Sequence, residues 1–163
     1  MASHDYLTGL ANRKSFQSQL NYSLEFSKAN TLSLAILFID LDGFKAINDS
    51  LGHDCGDIVI KTIAERLLKT VRKCDVVSRF GGDEFVIIIK NFKNTDIINE
   101  ICKKIIKEVS LPIDLDLSKV FVTASIGISV FPNDGETINE LVNKADNAMY
   151  EAKKSGKNKF VFS

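Results

Sequence analysis

The stretch Arg79-Phe80-Gly81-Gly82-Asp83-Glu84-Phe85 decides how this chain folds. It lies between two apolar, strand-like runs, residues 76–77 before it and residues 85–89 after it. Two glycines between strands predict a tight β-hairpin, because glycine adopts the positive φ that the turn requires. Directly after the glycines come two adjacent carboxylates, Asp83 and Glu84. Acidic groups at the lip of an apolar hairpin are costly to bury unless a cation or a partner neutralises them.

A second acidic pair ends another apolar run. Residues 34–39 carry no charge, and Asp40 and Asp42 follow them with only Leu41 between. A strand this uniformly apolar is predicted to be buried on both faces, so its terminal carboxylates need neutralising partners. Two buried strands that both end in carboxylates predict a divalent-metal site built from oxygen ligands.

Composition narrows the class of protein. The chain has 163 residues, which favours one domain with a sizeable core. Its 45% hydrophobic and 26% charged residues are those of an ordinary globular domain. Lys plus Arg equals Asp plus Glu, 21 each, so net charge gives no support for nucleic-acid binding. No apolar run is long enough to span a bilayer, so we expect no membrane contact by this domain and a cytoplasmic location, with a membrane anchor left open for the parent protein.

The cysteines Cys55, Cys74 and Cys102 are unevenly spaced and form no CxxC pair. This pattern favours reduced thiols in a cytosolic protein, packed as small buried hydrophobic side chains. A zinc site is not expected, because only His4 and His53 could complete it and neither has ligand spacing.

Hydrophobic periodicity predicts helices alternating with strands. The predicted helices cover residues 12–30, 42–50, 54–71, 95–110 and 137–154. The predicted strands cover residues 31–41, the hairpin 75–89, 112–117, 120–131 and 159–162. Asp42 is expected to cap the second helix, and the core-facing stripes of the first and third helices include Phe26 and Ile58. The order predicts an α+β fold, a mixed central sheet flanked by helices that contains a split β-α-β-β-α-β unit.

Nucleotide binding, if present, must use a metal and helix ends. The chain lacks the phosphate loops GxxxxGK[ST] and GxGxxG and the nucleophile elbow GxSxG. The segment Leu41-Asp42-Gly43-Phe44-Lys45 offers a helix end, because Gly43 allows close backbone approach and the next helix presents free N–H groups. On its own the segment is also typical of an ordinary strand-to-helix turn with a capping aspartate.

Five segments, in this order and spacing, resemble the GGDEF family of diguanylate cyclases. They are Asp5-x-Leu7-Thr8-Gly9-Leu10-x-Asn12-Arg13, Phe38-Ile39-Asp40-Leu41-Asp42-x-Phe44-Lys45-x-Ile47-Asn48-Asp49, Gly52-His53-x-x-Gly56-Asp57, the hairpin quoted above, and Ala145-Asp146-x-Ala148-Met149-Tyr150-x-Ala152-Lys153. The resemblance implies a ferredoxin-like, palm-type nucleotidyl-cyclase fold, as a single domain over residues 1–163 cut from a longer signalling protein. It also implies condensation of two GTP molecules into cyclic di-GMP with release of pyrophosphate.

The resemblance assigns roles to the acidic pairs. Asp40, the Leu41 carbonyl, Asp83 and Glu84 would hold two Mg²⁺ or Mn²⁺ ions that bridge the triphosphate. The catalytic set would be Asp40, Asp83 and Glu84, with Asp83 nearest the 3′-hydroxyl, where it would help to remove the proton. Many members of the family have Glu at the position of Asp83, and Asp is the other common residue there.

The resemblance also implies the substrate contacts, which are Gly43, Phe44, Lys45, Asn48, Asp57, Lys153 and Lys157. Asn48 and Asp57 match the pair that reads guanine, and a carboxylate suits guanine because it accepts from N1–H and the 2-amino group together. Lys153 and Lys157 match the pair that holds the terminal phosphates. The family usually has Arg at the second position, so Lys157 keeps the charge and loses the bidentate fork.

An inhibitory product site is implied just before the hairpin. Arg72-Lys73-Cys74-Asp75 matches the RxxD signature at the usual spacing, with Arg72 on a phosphate or guanine edge of cyclic di-GMP and Asp75 on a guanine N–H. The string alone is equally typical of a charged helix end. Arg79 is expected to order the hairpin locally.

The reaction joins two GTP molecules and each domain holds one, so the resemblance implies a homodimer for catalysis. An alternative from a different class is a regulatory module that binds GTP or cyclic di-GMP without turnover. The intact acids of the hairpin and of the strand before it argue against that alternative. A purely structural interaction domain would leave two acidic strand ends unexplained.

Overall fold

The computed structural model describes residues 2–163. Five helices are present in this part of the chain: α1 (Arg13–Asn30), α2 (Phe44–Leu51), α3 (His53–Leu68), α4 (Thr95–Val109) and α5 (Ile138–Lys154). The strands are β1 (Leu34–Asp42), β2 (Val76–Gly81), β3 (Glu84–Lys90), β4 (Ile113–Asp114), β5 (Lys119–Val120), β6 (Thr123–Phe131) and β7 (Lys159–Phe162). None of the helices described is both long enough and apolar enough to cross a membrane.

The central sheet has the order β2-β3-β1-β6-β7. β1 lies in the middle and runs antiparallel to both β3 and β6, whereas β7 is parallel to β6. Within this sheet β1, β2, β3 and β6 have the strand order of a ferredoxin-like split β-α-β-β-α-β unit. The predicted α+β class and mixed sheet are confirmed.

Helices cover both faces of the sheet, which is why β1 is apolar at successive positions. Ala35, Leu37 and Ile39 pack into a core completed by α3 and α4. The alternate residues of β1 point to the other face, where α1 and α5 complete a second core. Because side chains alternate along a strand, Asp40 and Asp42 continue this second face and lie on the side that α5 covers.

Several predicted details are wrong. Phe26 and Ile58 are 50% and 43% exposed and do not belong to the core. The strand predicted over residues 112–117 is reduced to the two residues of β4, and the strand predicted over residues 120–131 begins three residues later, as β6, after the two-residue β5 that pairs with β4. Local apolar periodicity fails here because packing against the rest of the molecule decides which face of an element is covered.

The cysteine prediction holds for one residue of three. Cys102 is buried on α4, and burial raises the pKa of its thiol to about 12. Cys55 is half-buried and Cys74 is exposed, so neither is the small core side chain that the sequence predicts.

Candidate functional site

The hairpin between β2 and β3 closes in two residues. Gly81 pairs with Glu84, so Gly82 and Asp83 form the turn itself. Gly82 has a φ of 53°, in the left-handed region that favours glycine. The sequence predicts Asp83 directly after the turn, but in the structure Asp83 is part of the turn. The Asp83 carbonyl accepts a hydrogen bond from the Leu41 N–H at 3.3 Å. This bond ties the turn to the end of β1.

Arg79 orders the turn, as predicted, and also links it to the start of the chain. Its guanidinium donates to the Gly82 carbonyl at 3.1 and 2.9 Å and to the Asp5 carboxylate at 3.1 and 3.2 Å. Both charged side chains are largely buried. A planar guanidinium makes this double contact, because its donors diverge in fixed directions.

The carboxylates of the two strand ends meet. Asp40 lies directly opposite Glu84 in the β1–β3 register, and Asp83 is a close neighbour. Burial raises the pKa of Asp40 to about 7, and the Asp83 carboxylate adds to the rise while Lys153 opposes it. Burial also raises the pKa of Glu84, with Asp146 and Asp83 adding to it. Crowded carboxylates with raised pKa values are characteristic of sites that bind cations or move protons.

Asp42 does not cap α2, contrary to the sequence prediction. Gly43 occupies the cap position, and the Asp42 carboxylate points into the second face of the sheet. It accepts hydrogen bonds from the Thr123 hydroxyl at 2.7 Å, the Ser125 hydroxyl at 2.8 Å, and the backbone N–H of Asn158 at 3.1 Å. Burial acts to raise the pKa of Asp42, but these bonds and Lys153 hold it below its usual range.

Lys153, at the end of α5, is the cation of this cluster. Its ammonium donates to the Asp42 carboxylate at 2.8 Å and to the Leu41 carbonyl at 3.0 Å, and it lies 3.7 Å from Asp40. Lys157, predicted as its partner, lies in the exposed turn after α5 with a φ of 62°, and its N–H bonds to the Ala152 carbonyl. The two lysines therefore differ, since Lys153 is held inside the cluster and Lys157 is on the surface.

The donor set fits a hard divalent cation. Carboxylates and a backbone carbonyl are the oxygen ligands that Mg²⁺ and Mn²⁺ prefer, and the Lys153 ammonium already lies against two of these oxygens. Within residues 2–163, however, no three acidic, histidine or cysteine side chains converge closely enough to form a ready-made metal site. The residues that would hold the ions are Asp40, the Leu41 carbonyl, Asp83 and Glu84.

A second part of the site lies where α2 meets α3. Gly43, Phe44 and Lys45 are at the N-terminus of α2, where backbone N–H groups are free of helical partners. Further along α2, the Oδ1 atom of Asn48 is buried and has no hydrogen-bond partner within residues 2–163. An orphaned buried acceptor is costly, and a hydrogen-bond donor from a ligand would relieve that cost.

Gly56 shapes the surroundings of Asn48. A Cβ atom at position 56 would lie 1.8 Å from Asn48 Oδ1 and 3.3 Å from the Phe44 ring, so only glycine leaves room for that amide. The neighbouring Asp57 is exposed at the start of α3. The sequence contains Gly56 in one of the five segments but does not reveal that its role is to make room for Asn48.

Arg72 and Asp75, the predicted inhibitory pair, form an ion pair with each other. Arg72 donates to the Asp75 carboxylate at 3.1 Å and to the carbonyls of Lys90 and Asn91. The Asp75 side chain is fully enclosed and also accepts from the backbone N–H of Lys90, whereas Arg72 is 46% exposed beside a cavity of about 320 Å³. A guanine N–H reaches Asp75 only after Arg72 moves.

Comparison with known proteins places these features in a family. The family model "Diguanylate cyclase, GGDEF domain" matches residues 2–159. Over 162 residues the chain is 41% identical to the bifunctional diguanylate cyclase/cyclic di-GMP phosphodiesterase MucR and 40% identical to the cyclic di-GMP phosphodiesterase NbdA, both of Pseudomonas aeruginosa. The matches cover 99% of this chain but only 24% and 21% of those proteins, so the chain spans less than a quarter of their length.

Solved structures agree with the sequence match. The GGDEF domain of TpbB (YfiN) from Pseudomonas aeruginosa superposes with a TM-score of 0.95 at 38% identity, covering 98% of this chain and 93% of that one. The GGDEF domain of DgcB from Caulobacter crescentus, solved in complex with cyclic di-GMP, has a TM-score of 0.91 at 27% identity and coverages of 99% and 96%. The fold, the acid-bearing hairpin and the family match lead to one conclusion: this chain belongs to the GGDEF family of diguanylate cyclase domains.

Proposed function

We propose that this domain is a diguanylate cyclase, which condenses two GTP molecules into cyclic di-GMP and releases pyrophosphate. The observation that carries the proposal is the meeting of Asp40, Asp83 and Glu84 at two adjoining strand ends, with a raised pKa at Asp40 and Glu84. Carboxylates crowded together in this way repel one another, and either a proton or a bound cation relieves that repulsion.

In this proposal each side chain has a defined task. Bound Mg²⁺ or Mn²⁺ supplies Lewis-acid stabilisation of the charge that develops on the phosphates. Asp40, Asp83, Glu84 and the Leu41 carbonyl would hold the ions, and Asp83, carried on the turn, would also accept the proton of the attacking 3′-hydroxyl. The free N–H groups of Gly43, Phe44 and Lys45 bind phosphate oxygens, since a helix N-terminus attracts anions. Lys153 and Lys157 hold the terminal phosphates.

Guanine would be read between α2 and α3. The orphaned Asn48 Oδ1 accepts from the 2-amino group of the base, and Asp57 accepts from N1–H and the same amino group. Adenine offers neither donor at these positions, so its binding would leave the buried acceptor unpaired. Discrimination of this kind reaches roughly 10⁴ in favourable cases.

The test uses a protein in which two copies of the domain are tethered to each other, and supplies it with GTP and Mg²⁺. We expect pyrophosphate release and cyclic di-GMP formation, and turnover reduced by about 100-fold or more in Asp83→Asn with an unchanged unfolding transition. ATP should give no product. Near-normal cyclic di-GMP synthesis by Asp83→Asn would defeat the catalytic assignment.

We also propose that the product inhibits the enzyme at Arg72. The exposed guanidinium bonds to phosphate or guanine oxygens of cyclic di-GMP, while Asp75 holds Arg72 in place until it swings outward. A ligand bound there acts from a second site and therefore allosterically. Arg72→Lys keeps the positive charge beside Asp75. In this variant the cyclic di-GMP concentration that halves the rate should be about tenfold higher, and the initial rate without added product should be unchanged. Equal inhibition of both proteins would exclude the role of Arg72.

A second candidate function is a regulatory GGDEF module that binds GTP or cyclic di-GMP without turnover. It is favoured by one comparison, because a relative with 40% identity carries the name of a phosphodiesterase alone. In calorimetry such a module would bind nucleotide but release no pyrophosphate even when two copies are tethered. We further propose that the domain belongs to a longer cytoplasmic signalling protein, in which one GTP-loaded domain meets another.

A further inference from the structure

The position of Lys153 raises a conflict within the proposed site. Its ammonium lies 3.0 Å from the Leu41 carbonyl and 3.7 Å from an Asp40 oxygen, and the side chain is only 21% exposed. These are the same two groups that the proposed function assigns to the metal. Two cations cannot share them closely, because like charges repel strongly where solvent screening is weak.

The fold holds Lys153 in this position firmly. Helix α5 lies directly on β6 at Gly127, where a Cβ atom would be 2.0 Å from the Ala145 carbonyl. The Asp42 carboxylate, to which Lys153 bonds, is held in place by the hydroxyls of Thr123 and Ser125. The Lys153 ammonium is therefore bound by protein groups at the end of β1, the Asp42 carboxylate and the Leu41 carbonyl.

We infer that Lys153 is a tethered cation that takes the place of the metal at the Leu41 carbonyl and Asp40, and that metal loading releases it towards the phosphates of the nucleotide. Asp42 is the anchor about which the side chain turns, since it bonds to Lys153 and is not needed as a metal ligand. This inference rests on the proposed metal site.

If Lys153 and the metal exchange places, removing Lys153 should change the affinity for Mn²⁺ and the affinity for the nucleotide in opposite directions. Without Lys153 the metal has no competitor, so Lys153→Met should tighten Mn²⁺ binding in the absence of nucleotide by about tenfold. With Mn²⁺ saturating, the same variant should bind a non-hydrolysable GTP analogue about tenfold more weakly, because the released ammonium no longer meets the phosphates. Removing a lysine that only stabilises the fold, or one that binds phosphate from a position away from these oxygens, would not tighten metal binding.

Mn²⁺ binding is measured by electron paramagnetic resonance and analogue binding by calorimetry. The matched control is Lys154→Met, which removes the same charge one residue later from an exposed pair with Glu151 and should change both affinities less than twofold. If Lys153→Met unfolds because Asp42 is left unpaired, Asp42→Asn/Lys153→Met is compared with Asp42→Asn, and the same tightening is expected. Unchanged or weaker Mn²⁺ binding without Lys153 overturns the exchange.

The proposed function fails separately from this inference. If the wild-type domain binds no Mn²⁺ even with the GTP analogue present, the metal site itself is wrong. If it binds Mn²⁺ with the analogue, and removal of Lys153 brings no gain in the absence of nucleotide, the metal site stands and the exchange does not.

Discussion

At the scale of single residues, Asp40 shows most directly how the site strains the fold. Its pKa is about 7 in the folded protein and near 3.8 without its surroundings, so between these values the folded state binds more protons than the unfolded state. The contribution of Asp40 to stability therefore falls as the pH rises from about 4 to about 7, which is opposite to the contribution of an aspartate whose pKa is lowered by its partners, such as Asp42.

Asp40→Asn should remove this dependence. We expect the variant to be more stable than the wild type at pH 8 by about 1–2 kcal/mol, a value reduced for partial exposure, and to show little gain at pH 4. Urea unfolding in EDTA at both pH values measures the difference, with Asp57→Asn, an exposed carboxylate, as the control. Parallel stability profiles for wild type and Asp40→Asn would show that the carboxylates are not strained.

Gly56 is a second residue whose role is local. Gly56→Ala places a methyl group on Asn48 Oδ1, so the amide must turn away or α2 must move. We expect a loss of about 1–3 kcal/mol in stability and a larger loss in affinity for GTP than for inorganic pyrophosphate. Cys55→Ala, at the preceding position of α3, should leave GTP affinity unchanged. Normal GTP binding by Gly56→Ala would argue against a guanine contact at Asn48.

At the scale of elements, the β2–β3 hairpin is anchored at two points. Phe80 packs edge-on against Phe16 at 5.0 Å and Phe38 at 5.8 Å, which seats the hairpin on α1 and β1. Arg79 then fixes the turn that carries Asp83. Asp5 reaches this turn from the start of the chain, so the first segment and the acidic turn are mechanically linked.

Arg79→Lys should uncouple the turn from Asp5. A lysine keeps the charge but cannot bond to Asp5 and Gly82 together, so turnover should fall about tenfold or more while stability falls by about 1–2 kcal/mol. The control is Arg66→Lys, which weakens a similar guanidinium fork to the carbonyls of Leu111 and Pro112, away from the acidic turn. Equal loss of turnover in both variants would mean that only global stability matters.

The contact between α5 and β6 positions Lys153. Gly127→Ala would place a methyl group 2.1 Å from the Met149 backbone nitrogen, so α5 must lift from the sheet. We expect a loss of about 3 kcal/mol in the free energy of unfolding and weaker phosphate binding, whereas Ser129→Ala, on the same strand face, should cost about 1 kcal/mol. A crystal structure of Gly127→Ala with α5 unmoved would contradict the expected displacement.

At the scale of the whole molecule, one chain holds one proposed GTP site and the reaction joins two GTP molecules. The exposed apolar side chains, among them Tyr22, Phe26, Leu68 and Tyr150, lie on several different elements, and the sequence has no heptad run. We therefore expect specific activity to rise with protein concentration. A leucine zipper fused ahead of Asp5 should raise activity at low concentration by about 10²-fold through effective concentration.

A dilution series distinguishes a reaction between two domains from a reaction within a single chain. A zipper fusion that carries Asp83→Asn tests whether dimerisation alone produces signal, and it should be inactive. Activity per chain that stays constant on dilution, with and without the zipper, would rule out a reaction between two domains.

The sequence by itself determined the fold class, the hairpin and the identity of the acidic strand ends. The unbroken apolar run of β1, the glycines of the turn and the residues within each of the five segments can all be read from neighbouring positions in the chain. Helix α4 was predicted in full, because Ile98, Ile101, Ile105 and Val109 form one unbroken apolar face and all are buried.

Only the tertiary structure decided what each acid contacts. Asp42 resembles a helix cap in the sequence, yet β6 supplies two hydroxyls and α5 a lysine, which lie 81, 83 and 111 residues away along the chain. The sequence likewise does not reveal that Gly56 makes room for Asn48. Nor does it reveal that Asp75 is enclosed by its bonds to Arg72 and to the backbone of Lys90. Such contacts depend on sheet order and helix packing, which join distant segments, so the pattern of one segment cannot reveal them.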